Sequence, residues 1–335
     1  MVVAWGAHQV VGRPLRPPVF CAWRSDPRPL YHSQRPHGSP SDPDTVDLAF
    51  GALEHEPDED LFAPNRFGEE VTFSRIYTTP LAVAGLHEVG MTTGWRHSFS
   101  IVGSTANPSA WSTVRFEDPK GAVEEWEPML QDGRPTGEFP MHPGSGFVLR
   151  GEPTAIAGRW ASFTWQRNGL EKWVFLPVKD PKLNAYKLTK MVSFNGTTVT
   201  LKYDESYGYR LQQIVDNAGS PMFTFQYDAG GLMTSSTAAA MGVSIYYGYS
   251  NQAGCLCLTT VSPRSVDAST RDQIFWKYGY EAIRQKPFLT SVGTPVNSPD
   301  TLVFHRNVFD PITGKEISYI YPDGTHADIK YGVTK

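Results

Sequence analysis

Four short clusters in the sequence contain side chains that could do chemistry, and the first places a histidine beside a serine. In Trp95-Arg96-His97-Ser98, these two residues are the base and the nucleophile that many hydrolases combine. Adjacent residues on a strand point to opposite faces, so His97 could not easily activate Ser98. The sequence implies no third group to orient the histidine. We therefore expect His97 to pack or to hydrogen-bond within the N-terminal part of the chain.

The second cluster is acidic and precedes the first. A calcium site needs roughly six to eight oxygen ligands. No EF-hand-like spacing of glycine and glutamate follows these acids, so the pattern favours a solvated acidic loop. The cluster consists of Glu54, Glu56, Asp58, Glu59 and Asp60.

The last two clusters are carboxylates around a tryptophan and a pair of cysteines. Glu124, Glu125 and Glu127 flank Trp126, and a glycosidase could use two such carboxylates if their separation in space were suitable. The pair Cys255/Cys257 shares one strand face and has no second Cys/His pair nearby in sequence, which favours small core residues over a metal site. No phosphate loop, nucleotide fingerprint or zinc motif appears. We predict no enzyme activity, no cofactor and no metal.

Composition indicates which elements must hold these residues. The chain has 335 residues, of which 40% are hydrophobic and 19% charged, a globular balance. Thirty glycines and 27 prolines supply many turns, and 13% aromatic residues favour strands. The long amphipathic helices that a parallel α/β fold needs are not found. The sequence therefore predicts an all-β fold.

Charge and the N-terminus narrow the possible partners. A net charge of −4 gives no bulk attraction to nucleic acid, and no run approaches the roughly 18 apolar residues of a membrane helix. The N-terminus lacks the basic start and clean apolar core of a signal peptide. Residues 1–44 contain eight prolines and five arginines, so we predict a poorly ordered tail there.

A repeated strand pattern dominates the second half of the chain. Every second residue of a strand points to the same face. On that face each repeat unit ends in a tyrosine, and the residue two positions before it is aliphatic or aromatic. Intervening residues such as Lys202 and Gln226 are mostly polar, so each unit has one buried and one wetter face. The predicted ladder tyrosines are Tyr203, Tyr227, Tyr249, Tyr278, Tyr321 and Tyr331.

Turn residues follow the tyrosines. Aspartate closes turns by accepting hydrogen bonds from nearby backbone N–H groups, and glycine adopts a positive φ at little cost. A leucine then begins the returning strand. The predicted turn and return residues are Asp204, Gly208, Leu211, Asp216, Gly219, Asp228 and Gly231. Recurrence in successive units favours a structural role over a sugar-binding platform.

These residues resemble the tyrosine–aspartate (YD) repeats of RHS proteins, also found in teneurins and in the shell subunits of ABC-type insecticidal toxin complexes. The upstream region is similar to the N-terminal module of bacterial RHS proteins. Its motif residues here are Val46-Asp47-Leu48, Arg75, Tyr77, Gly94, Trp95, His97 and Ser98. Ser250 and Gly279 replace the aspartate after Tyr249 and Tyr278, so the later units are degenerate.

The resemblance implies a spiralling antiparallel sheet of repeated β-hairpins, here partial and open. It also implies a module over 45–193, a hairpin array over 194–335, and export or surface display. We expect a non-enzymatic wall segment of a shell that encloses or displays a polypeptide, with further YD-repeat or toxin polypeptide as partner. The alternative hypothesis is a carbohydrate-binding or adhesive β-module with glycan partners. The third hypothesis is a hydrolase that uses Glu124–Glu127.

Overall fold

The structure is a computed structural model. It describes residues 44–47, 52–55, 57, 60–64, 70–84, 88–107, 109–140, 147–167, 171–179, 184–263, 276–296 and 298–331. The predicted tail therefore lies outside the described residues except for Asp44.

The first part of the chain forms two small sheets and one short helix. Strands β1, β2, β5 and β6 pair in that order, and β3 pairs with β4. We call residues 44–101 the N-terminal segment. Its elements are β1 (Asp44–Asp47), β2 (Ala52–His55), β3 (Leu61–Pro64), β4 (Glu70–Phe73), β5 (Arg75–Thr78), α1 (Thr79–Ala84) and β6 (Trp95–His97).

One large antiparallel sheet of 18 strands contains most of the remaining residues. Fifteen of its strands, β12 to β26, follow chain order, and each pairs with the next. The elements before the array are β7 (Val102–Thr105), β8 (Val114–Glu117), β9 (Val123–Trp126), and the separate hairpin β10 (Leu130–Gln131) with β11 (Arg134–Pro135).

The array itself consists of hairpins joined side by side. Its bounds are β12 (Phe147–Pro153), β13 (Trp160–Arg167), β14 (Glu171–Pro177), β15 (Ala185–Val192), β16 (Thr198–Asp204), a 3-10 turn (Glu205–Tyr207), β17 (Arg210–Val215), β18 (Pro221–Tyr227), β19 (Met233–Ala238), β20 (Val243–Gln252), β21 (Cys255–Pro263), β22 (Trp276–Ile283), β23 (Lys286–Val296), β24 (Ser298–Phe309), β25 (Glu316–Ile320) and β26 (His326–Asp328).

Strand β15 connects the two parts of the large sheet. Its first half pairs with β7, where Tyr186 lies opposite Gly103. Its second half pairs with β16, where Met191 lies opposite Val199. The predicted module boundary between residues 193 and 194 falls in the turn between β15 and β16, and the sheet continues across it. The division into modules stays a prediction.

Alternating burial explains why these sequences form strands. In β15, Tyr186 and Leu188 are buried while their neighbours are more exposed, which is the period of two that a half-buried strand requires. The two helical pieces among the described residues are only six and three residues long. The all-β prediction is confirmed, with antiparallel strands in a large open sheet. No helix in the described ranges is long and apolar enough to cross a membrane.

Candidate functional site

A column of tyrosine hydroxyls connects successive hairpins of the array. Each hydroxyl donates a hydrogen bond to a backbone carbonyl on the preceding strand, at a distance typical of a strong O–H···O bond. We call this column the ladder, and the side of the sheet that carries it the ladder face. The donors and acceptors are Tyr203 to Leu188 (2.8 Å), Tyr227 to Leu211 (2.7 Å), Tyr249 to Met233 (2.7 Å), Tyr280 to Leu258 (2.7 Å) and Tyr331 to Glu316 (2.5 Å).

A β-bulge on the following strand lies opposite the step into each ladder position except the last. The register shifts between Lys202 and Tyr203, and again between Gln226 and Tyr227. The same shift occurs before residues 175, 249, 280 and 309. A bulge sets two residues of one strand against one of its partner and increases the local twist. It thereby brings each tyrosine opposite a buried apolar residue, as Tyr203 lies opposite Leu211.

The bulges move two of the predicted ladder tyrosines. In the fourth unit Tyr280 makes the ladder bond, not Tyr278, which lies two residues before it and faces the N-terminal segment. In the fifth unit Phe309 occupies the position after the bulge. Tyr321 is 41% exposed and is not a ladder donor in the described structure. Phe175 holds the equivalent place upstream, so the repeat begins before the predicted array.

Sequence reasoning missed the threonines at the bulges. In three units the bulged threonine donates its hydroxyl back to a carbonyl on the facing strand. The signal was available, because a Leu-Thr or Met-Thr pair recurs at residues 188, 233, 258 and 289. The bonds run from Thr189 to Val174 (3.1 Å), Thr259 to Gly248 (3.2 Å) and Thr290 to Gly279 (3.4 Å).

The predicted aspartates are placed in turns. Asp204 Oδ1 accepts from Ser206 N at 3.1 Å and caps the 3-10 turn. Asp216 accepts from two backbone N–H groups, and Asp228 accepts from Leu232 N at 2.8 Å. The glycines beside them adopt positive φ: Gly208 (72°), Gly219 (80°) and Gly231 (88°).

Basic side chains stack on three ladder rings. Arg210 lies 4.6 Å from the centre of the Tyr227 ring, Lys187 lies 5.6 Å from that of Tyr203, and Lys315 lies 4.7 Å from that of Tyr331. Burial raises the pKa of Tyr227 well above its usual value, with Glu88 adding to the rise. The phenol therefore stays protonated and remains a hydrogen-bond donor at neutral pH. The ladder is chemically a set of fixed donors, not of titrating groups.

The N-terminal segment covers the ladder face, and Arg75 is its most buried charge. The guanidinium is fully buried and forms a bidentate pair with Asp60, at 2.6 and 2.8 Å. It also donates to Tyr278 Oη at 2.7 Å and lies near the faces of Trp95 and Tyr247. Burial alone would lower the pKa of Arg75, but Asp60 together with Tyr278 and Tyr247 outweighs it and the pKa is raised. This charge is fixed and serves to join the segment to two repeat units.

Other predicted motif residues converge on the same face. Trp95 Nε1 donates to Tyr280 Oη at 2.8 Å. Tyr77 Oη donates to Pro287 O at 3.3 Å. Gly94 has φ +86°, and an added Cβ would lie 2.4 Å from the Tyr77 ring. The glycine is therefore required by both backbone conformation and space.

His97 and Ser98 form no catalytic pair. His97 Nδ1 accepts from Phe99 N at 3.2 Å, and burial lowers the pKa of His97 to about 4. Ser98 Oγ instead accepts from Ser74 N at 3.3 Å. Nearby, Glu88 pairs with Lys187 at 2.6 Å. Burial would raise the pKa of Glu88, but Lys187 and other partners lower it to about 2.

The remaining clusters carry structural contacts. Of the acidic group, only Asp60 has a described side chain, and it is the partner of Arg75. Glu125 pairs with Arg115 at 2.7 Å on the surface, while Trp126 is buried. Cys257 is buried in the core. Within the described ranges no group of three metal-binding side chains forms.

Comparisons with known proteins give distant likenesses only. No protein-family model matches the chain, and no curated protein matches it. Among solved structures, the chain is similar to "TcdB2-TccC3", with 11% identity and a TM-score of 0.34 over 79% of this chain. It spans 16% of that chain's length.

Two further solved structures show similar likenesses. One is the Tc holotoxin pore of Photorhabdus luminescens, with 11% identity and a TM-score of 0.23 over 82% of this chain and 18% of that one. The other is the N-terminal domain of the effector SpvB of Salmonella typhimurium strain LT2, with 12% identity and a TM-score of 0.23 over 76% of this chain and 95% of that one. At identities and TM-scores of this size, none of these proteins lends its activity to this chain.

Proposed function

We propose that the chain is a non-enzymatic scaffold, a wall segment of an RHS-type YD-repeat shell that encloses or displays a polypeptide. The observation that carries the proposal is the ladder. Its units repeat one geometry, a bulge followed by an aromatic residue whose hydroxyl, where present, binds the preceding unit. Each such unit has a face that packs against its neighbours, and the units stack side by side. The number of units therefore determines the length of the wall.

The contents of the ladder face support this role. Ladder tyrosines bond backbone carbonyls, and Tyr278 bonds the N-terminal segment through Arg75. A catalytic cleft would instead leave a base and a nucleophile within reach of one another. The proposed partner is further YD-repeat or toxin polypeptide, on this chain or a neighbouring one, and the proposed setting is an exported or surface-bound assembly.

The carbohydrate-binding alternative gains less support. Sugar platforms need aromatic faces open to solvent, and most described tryptophans are buried in the core. Trp111 and Trp276 are half-buried. The buried ones are Trp95, Trp126, Trp160, Trp165 and Trp173.

Protease protection tests the proposal. The chain is produced together with any polypeptide that its gene encodes beyond Lys335, and that polypeptide is followed during digestion. We expect it to survive digestion that destroys the same polypeptide produced alone. Equal digestion rates in the two preparations would refute enclosure. A glycan array run in parallel checks the alternative, since reproducible binding that is lost in Trp276→Ala would favour the carbohydrate module.

A further inference from the structure

The bulges present a backbone N–H group to the N-terminal segment in three successive units. The donor is always the residue opposite the ladder tyrosine, and each donor meets an oxygen of the N-terminal segment. The bonds are Met233 N to Gly90 O (2.7 Å), Leu258 N to Thr92 Oγ1 (3.1 Å) and Leu289 N to Tyr77 Oη (3.0 Å).

These three acceptors share only their oxygen. One is a backbone carbonyl, one an aliphatic hydroxyl and one a phenol. A bulge disrupts the hydrogen bonding between strands locally, and a buried N–H group without a partner is costly. Met233, Leu258 and Leu289 are all buried. An oxygen from the N-terminal segment therefore accepts a hydrogen bond from the N–H group that the bulge would otherwise leave without a partner.

The backbone of the N-terminal segment approaches the ladder closely at one of these points. Gly90 has φ +93°, and an added Cβ would lie 2.4 Å from the Tyr227 ring. The hydrogen bond at this point joins main-chain atoms of both elements, Met233 N and Gly90 O. Two residues on, Thr92 reaches the next unit with its side chain, which is buried. Two successive units are thus contacted by residues two apart, and the next unit is contacted by Tyr77.

We propose that this N–H is the donor by which each repeat holds a polypeptide lying on the ladder face, and that it selects an oxygen acceptor, not a particular side chain. In this chain the occupant is the N-terminal segment itself, through Tyr77, Gly90 and Thr92. The inference rests on the proposed function, since it specifies how the scaffold holds a polypeptide. It also defines the chemistry of an occupant: an uncharged oxygen at each contacted unit and a glycine where main chain meets a ladder ring.

Amide hydrogen exchange in the full chain tests this proposal. Thr92→Val removes the oxygen and keeps the shape, and Thr92→Ser keeps the oxygen. Thr93→Val is the matched control, because Thr93 forms no hydrogen bond with its side chain in the described contacts. We expect the Leu258 amide to exchange on the order of tenfold faster in Thr92→Val. In Thr92→Ser and Thr93→Val the rate should stay within about threefold of the unmodified chain.

A second variant, Tyr77→Phe, is tested by measuring the exchange rate of the Leu289 amide. This measurement tests the proposal if Thr92→Val does not fold. An unchanged Leu258 rate in folded Thr92→Val would overturn the proposal, as would a Thr92→Ser rate as fast as that of Thr92→Val. Neither result depends on enclosure of a downstream polypeptide. The proposed shell could therefore fail its protease test while these donors pass theirs, and the reverse.

Discussion

Removal of one ladder hydroxyl should destabilise the array by an amount that the structure defines. Tyr249 Oη donates to Met233 O at 2.7 Å, and Met233 is fully buried. Tyr249→Phe deletes this bond and leaves the carbonyl without that donor. A net hydrogen bond contributes about 1 kcal/mol, and an unsatisfied buried acceptor costs about 1–3 kcal/mol. Since a carbonyl has a second lone pair that the strand can still use, we expect a loss of about 1–2 kcal/mol.

Strand β20 also supplies a matched control. Tyr246 lies on the same strand, is half-buried, and its hydroxyl makes none of the described hydrogen bonds. Tyr246→Phe should change the free energy of unfolding by less than about 0.5 kcal/mol. Urea unfolding followed by tryptophan fluorescence gives both values, provided the slope with urea is the same in all variants. Equal midpoints for Tyr249→Phe and Tyr246→Phe would refute the structural role assigned to the ladder.

Three further predictions concern the covering segment. Arg75→Met should cost about 3–5 kcal/mol because Asp60 is left charged and buried, and the double variant Arg75→Met/Asp60→Leu should be more stable than the single one in the same urea assay. Since the folded pKa of His97 is about 4 and an unfolded histidine titrates near 6.5, stability should be full above about pH 6.5 and fall by about 2 kcal/mol by about pH 5. His97→Asn, which keeps an acceptor but does not titrate, should lose that decline in unfolding curves measured at each pH. Gly94→Ala should lower the unfolding free energy by at least about 3 kcal/mol. Gly196→Ala, with φ +85° and open space around it, should lose only about 1 kcal/mol, and equal losses would show that the packing at Gly94 is not limiting.

The sequence was sufficient to predict the fold class and the recurring unit. Tyr203, Tyr227 and Tyr249 end strands of alternating pattern, and each is a ladder donor. Period-two alternation is a local property, so it can be read without knowing the partner strand. Turn chemistry is also local, which is why the aspartates and glycines of the first units could be assigned to turns.

In the fourth unit the single-strand pattern does not identify the ladder tyrosine. Tyr278 and Tyr280 share one strand face, so alternation alone cannot decide between them. The bulge between Gly279 and Tyr280 makes the choice, because it sets which residue lies opposite Leu289. The third unit shows the same effect, because the bulge before Tyr249 sets Leu258 opposite it. A bulge is a property of two strands together, and single-strand patterns do not contain it.

The covering of the ladder face could not be predicted at all. Arg75 and Tyr278 are separated by about two hundred positions in the chain, and no local pattern links residues at that distance. The sequence did single out Arg75, Tyr77, Gly94 and Trp95 as one motif group. That this group packs against the repeat units is seen only in the tertiary structure.

We propose that this chain is one wall of a larger enclosure, and imaging of the whole gene product distinguishes that role from an isolated sheet. Cryo-electron microscopy of the chain together with any polypeptide that its gene encodes beyond Lys335 should show further hairpins that extend the sheet beyond β26 and polypeptide density on the ladder-face side. A sheet that ends at β26, with any further polypeptide folded apart from the ladder face, would refute the proposed enclosure.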